Sequence, residues 1–101
     1  MRFLMKVTTP IEQGNAAAKN GFHALQEALA EIKPEAAYFT TDGGCRTAFL
    51  IVNMTDASEI PFLAEPFFLA MNASVEFHPV MTPEDLAKAG PAIEAAVKKY
   101  C

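Results

Sequence analysis

The order in which apolar patterns alternate along this chain constrains its fold more than any single motif does. It reads strand, helix, strand, strand, helix, strand, and then one more helix. Arg2 to Thr8 alternates with period two, setting Phe3, Met5 and Val7 against Arg2, Leu4, Lys6 and Thr8, which marks a half-buried strand. Pro10 closes it. From Ile11 to Ile32, the residues Ile11, Ala18, Phe22, Leu25, Leu29 and Ile32 recur at helical spacing and form one apolar stripe. Lys19, His23, Glu27 and Glu31 follow one another by fours on a polar face. Gly14 and Gly21 weaken the first half, so a late start to this helix is expected. Lys33-Pro34 ends it, because the residue before proline avoids helical geometry.

Ala36 to Thr41 is β-prone, and Asp42-Gly43-Gly44 is a turn, since glycine accepts the positive φ of tight hairpins. Arg46 to Met54 is the most β-like stretch. It is apolar on both faces through its middle, as in a central strand covered on both sides. Asp56 and Glu59 have capping-box spacing. Ser58 is the rival N-cap and is preferred, because it puts Pro61 in the first turn, where no backbone N–H is needed. Ile60, Leu63, Phe67 and Met71 form the stripe of this second helix, and Pro66 within it predicts a kink or a break. Ala73 to Met81 is the last strand. Val75 and Phe77 point one way, Glu76 and His78 the other, and Pro79 favours a strand end or a sheet edge. Thr82-Pro83-Glu84-Asp85 starts a final helix with stripe Leu86, Ala89, Ile93, Val97 and Tyr100, which Gly90-Pro91 divides.

Two split βαβ units with right-handed crossovers put both crossover helices on one face of a four-stranded antiparallel sheet. The expected fold is therefore a single α+β domain over residues 1–101, ferredoxin-like, with an extra C-terminal helix. The other sheet face is left bare. Strands one and three carry apolar residues on both faces, and leaving them in water would cost on the order of 25 cal/mol per Å². Pairing two such faces removes the cost, so a symmetric homodimer is expected. The composition agrees: eight Phe and five Met are more apolar bulk than a 101-residue monomer needs.

A net charge of −4 with scattered basic residues argues against nucleic acid and against a polybasic membrane anchor. No apolar run approaches the roughly 20 residues that span a bilayer. The N-terminal apolar stretch is too short for a signal peptide, so a cytoplasmic protein is expected. Cys45 and Cys101 have no zinc or disulfide-framework spacing and read as free thiols. His23 and His78 are the only histidines and do not share a ligand spacing, so neither a metal site nor a protein-bound cofactor is expected.

The element order resembles the dimeric α/β-barrel superfamily, in particular its small uncharacterised bacterial members. So do the run Asp56-Ala57-Ser58-Glu59-Ile60-Pro61 and the closing Pro79-Val80-Met81-Thr82-Pro83-Glu84-Asp85-Leu86. The resemblance implies a barrel formed from two sheets. It also implies a pocket between each sheet and its helices or near the dimer seam. Its members include cofactor-independent monooxygenases, lactone isomerases and haem-degrading enzymes. The monooxygenase and haem-degrading branches rely on tryptophan, which this chain lacks. The His–Asp dyad of another branch has no counterpart here.

His78 shares a strand face with Glu76, and a carboxylate beside an imidazole suits proton transfer. Tyr38, Thr40, Arg46 and Lys6 are further polar candidates for a pocket. Whether Arg46 joins Tyr38 and Thr40 depends on the hairpin: a two-residue turn sets it opposite Thr41, a three-residue turn opposite Thr40. Arg46 near a cavity would favour a carboxylate ligand. The bland alternatives are solvated residues at sheet ends for these four, and a surface or dimer-contact pair for Glu76 and His78. His23, between Lys19 and Glu27, reads first as a solvated helix face. The expected function is binding of a small, partly apolar molecule beside the sheet. By analogy, isomerisation or oxygenation without a cofactor would use His78 as acid/base and Tyr38 and Arg46 to orient the substrate. The rival is a non-enzymatic self-associating module.

Overall fold

The computed structural model describes all 101 residues. Strands β1 (Arg2–Thr8), β2 (Ala36–Asp42), β3 (Cys45–Asn53) and β4 (Ser74–Pro79) form one antiparallel sheet in the order β2-β3-β1-β4. Helices α1 (Ile11–Lys19) and α2 (His23–Ile32) carry the chain from β1 to β2, and α3 (Ile60–Met71) carries it from β3 to β4. Each crossover skips one strand, which gives the α+β, ferredoxin-like arrangement. Helices α4 (Pro83–Lys88) and α5 (Gly90–Tyr100) follow the last strand.

Strand register sorts the side chains. Met5 stands opposite Leu50 and Phe77, and Val7 opposite Ala48 and Val75. These residues share the helix-covered face with Val52, and Leu63, Phe67 and Met71 of α3 close over them together with Ala28 of α2. Met5, Leu50 and Phe67 are fully buried. Each such side chain contributes about 1.5–3 kcal/mol by leaving water. The proline-bearing β4 is an edge strand, with Pro79 at its end.

The β2–β3 hairpin turns on two residues, Gly43 and Gly44, both at positive φ (61° and 79°). That places Arg46 opposite Thr41, on the helix-covered face, while Tyr38 pairs with Phe49 and Thr40 with Thr47 on the other.

Four local expectations are corrected. The segment Ile11–Ile32 starts on time but is two helices, not one. Gly21 (φ 68°) ends α1 in a Schellman turn, with the Phe22 amide donating to the Ala17 carbonyl (2.8 Å) and the Gly21 amide to that of Ala18 (3.0 Å). Ile11, at the head of the expected stripe, is exposed for the same reason: the stripe is not continuous across the break. Asp56, not Ser58, is the N-cap before α3. Its Oδ1 accepts from the Ser58 amide, and Glu59 Oε2 reaches back to the amides of Asp56 and Thr55, both at 2.8 Å. A single 3₁₀ turn, Ala57–Glu59, absorbs the register difference, so Pro61 still falls in the first turn of α3. Pro66 does not break α3, which runs unbroken to Met71; the carbonyl its missing N–H leaves free belongs to Phe62, on the exposed side.

Candidate functional site

An apolar cleft of about 470 Å³ opens between the sheet and the first crossover. Val7, Ala48 and Phe39 form its floor, Ala17, Phe22 and Leu25 its roof, and Met71 a wall. The Schellman turn shapes the roof, because Phe22 follows it at φ 56° and lines the cleft between Ala17 of α1 and Leu25 of α2. Gln26 holds that turn, donating from Nε2 to the Gly21 carbonyl (2.9 Å). The volume lies within the range of small-molecule pockets, which are mostly apolar with a few fixed polar groups.

Arg46 is the one charged residue lining this cleft. Its backbone is fixed by the Thr9 amide, which donates to the Arg46 carbonyl (3.0 Å). Its guanidinium lies against α1, where Nη1 donates to Asn15 Oδ1 (2.9 Å). The space for it comes from Gly14, buried within the helix. A Cβ at Gly14 would meet Nη1 at 2.9 Å and Cδ at 3.3 Å. No carboxylate forms an ion pair with Arg46. The cleft thus has an apolar body and, at its exposed edge, an anchored cation whose remaining N–H groups suit the planar, two-oxygen face of a carboxylate.

The other sequence candidates lie on the opposite, uncovered sheet face. Register aligns Tyr38, Phe49, Lys6 and Glu76 in one row across the four strands, and Ala36, Ile51, Leu4 and His78 in the next. Lys6 Nζ donates to Asp42 Oδ2 at 2.7 Å and lies 4.0 Å from Glu76 Oε2. The hydrogen bond to Asp42 raises the Lys6 pKa above its ordinary value, against the opposing effect of its partial burial. His78 Nε2 stands 3.9 Å from Glu76 Oε1. At the end of the sheet, Arg2 grips Glu35 through Nε (3.0 and 3.1 Å), and Asn53 donates to the same carboxylate (3.0 Å). The Arg2 hydrogen bond holds the Glu35 carboxyl below the usual carboxylate range. Asn53 therefore serves this clamp.

Within one chain, then, Lys6, Glu76 and His78 are brought together, Tyr38 shares their face but stands on the opposite edge strand, and Arg46 is separated from them all by the sheet. Thr40 shares the face of Tyr38 by register and also borders the cleft. His23 pairs with Glu27 (2.9 Å) beside a second groove, of about 490 Å³, between the first crossover and the end of α3. Gly14, Asn15, Phe22 and Leu25 were not legible as cleft residues. The available signal was Gly14 itself: an isolated glycine in a helical pattern carries a packing reason. No three His, Cys, Asp or Glu side chains converge as a metal site would require. No helix is long and apolar enough to cross a membrane.

Fold and site together define a small α+β domain with a four-stranded antiparallel sheet and an apolar cleft, edged by one cation, under its first crossover. The chain belongs to the family described as "Domain of unknown function (DUF3303)", whose model matches residues 1–94. No curated protein and no solved structure matches the chain.

Proposed function

We propose that the chain is the protomer of a homodimer that binds a small, partly apolar carboxylate in the cleft beneath α1 and α2. The observation that carries this reading is the isolated Arg46 guanidinium at the rim of an otherwise apolar cavity. An apolar tail fills the body of the cleft, and the acid group meets the free N–H groups of Arg46. A charge-assisted hydrogen bond of this kind contributes about 1.5–3 kcal/mol, or roughly ten- to a hundredfold in affinity. The resemblance to the dimeric α/β-barrel superfamily supports both parts of the reading, since it implies a dimer and a pocket between sheet and helices. Any turnover by analogy with that superfamily would have to be organised without His78 and Arg46 acting together in one protomer.

Calorimetric titration with octanoate and phenylbutyrate, against octanol and phenylbutanol, tests the proposal. The acids should bind at least tenfold more tightly than the matched alcohols, and Arg46→Gln should remove the difference. Acids and alcohols binding alike, or neither binding at millimolar concentration, would refute it. A second reading, self-association with no ligand, is favoured by one observation: the open sheet face exposes Tyr38 and leaves Leu4, Phe49 and Ile51 half-buried.

A further inference from the structure

The C-terminal arm has nowhere to pack in its own chain. Helices α4 and α5 run nearly end to end, with the Ile93 amide donating to the Ala89 carbonyl across the junction (3.1 Å). The pair forms a rod of about 27 Å at 1.5 Å per residue. Leu86, Ile93, Val97 and Tyr100 follow at spacings of seven, four and three on one stripe. Their exposures are 51%, 50%, 53% and 76%, and every residue from Pro91 onward is exposed. Helix α5, at 11 residues, is marginal in water without a packed apolar face.

The dimensions say the same. The molecule measures 56 × 28 × 20 Å with a radius of gyration of 17.0 Å. A compact chain of this length has a radius near 13 Å. A body of ordinary size plus the rod accounts for the long axis. The chain exposes 6847 Å², whereas a folded monomer of this mass exposes about 5,600 Å². The surplus of about 1,250 Å² per chain is what one partner of a homodimer buries, since such interfaces total on the order of 2,000–5,000 Å².

We infer that the arm is an exchange element, and that its occupant is a second copy of this chain. The inference rests on the homodimer part of the reading above and extends it. The open faces of two copies, centred on Leu4, Phe49 and Ile51, turn toward each other about a two-fold axis, and each arm reaches across onto the other copy. One chain supplies both an unpartnered stripe and an unpartnered face, so two copies satisfy both reciprocally, as an isologous interface requires.

Sedimentation equilibrium of the full chain tests this, comparing wild type with the double variant Ile93→Asp, Val97→Asp and with Ala95→Asp on the opposite side of α5. Neither Ile93 nor Val97 belongs to the buried core, so the body should keep its fold, which circular dichroism would verify. The expected result is a wild-type dimer, a dissociation constant raised at least a hundredfold in the double variant, and no change with Ala95→Asp. An unchanged double variant would overturn the arm's role while leaving the homodimer standing. Equal weakening by Ala95→Asp would overturn the stripe. A monomeric wild type would overturn both arm and homodimer, and an open-ended assembly would overturn the reciprocal exchange.

Discussion

Gly14 lies early in α1, where alanine would support a helix by about 1 kcal/mol more. It is buried, and the absent side chain is where the Arg46 guanidinium lies. The structure therefore gives up helix propensity to seat a cation at the cleft. This separates stability from binding. In Gly14→Ala the methyl group meets the far end of a flexible side chain, which can swing outward at little cost. Thermal melting should show the variant as stable as wild type or up to about 1 kcal/mol more stable. Its octanoate affinity should fall about tenfold, because Arg46 has left its seat on Asn15. A variant that melts lower and binds normally would show that the glycine serves packing alone. At this scale the residue type was legible and the side of the sheet was not. Arg46 was recognisable as a carboxylate partner, but one residue more in the Gly43-Gly44 turn would have moved it to the face of Tyr38 and Thr40.

At the scale of elements, strands and their order were legible because period two and turn chemistry are local signals. The first crossover was less so. Its stripe continues in sequence through Gly21, and only the left-handed geometry of Gly21 and Phe22 reveals that the helix ends there. The capping boxes show the same limit. The helix start at Thr82 was readable, whereas Asp56 lost to Ser58 because a 3₁₀ turn is invisible to spacing. Both boxes have a pH signature. Glu59 is held below the usual carboxylate range by the amides of Asp56 and Thr55, Asp56 by the Ser58 amide, and Asp85 by the Thr82 amide. A carboxyl whose folded pKa is lowered adds stability that is complete above its unfolded pKa, about 4, and is lost as pH falls through the lower folded value. Melting temperature should therefore be level above about pH 5 and decline below about pH 4. Glu59→Gln should melt lower at neutral pH and decline less steeply in acid. Parallel pH profiles for the two proteins would rule out a charge-dependent box.

At the scale of the whole molecule, the proposed homodimer would link stability to concentration. Few residues of the chain are fully buried, and they form a single layer under the helices. In the single chain the opposite face and the arm stand in water. If the folded protein is a dimer and the unfolded chain is not, unfolding separates two chains, and mass action makes the transition depend on total protein. A domain of this size absorbs about 70 kcal/mol per chain at its midpoint, so a dimer that unfolds in one step absorbs about twice that. Each tenfold rise in concentration should then raise the melting temperature by about 3–4 °C. Differential scanning calorimetry over two decades of concentration measures this directly. A melting temperature that does not move would mean that the arm and the open face are stable in water as they stand, and that the apolar surface of this chain is held for a partner other than itself.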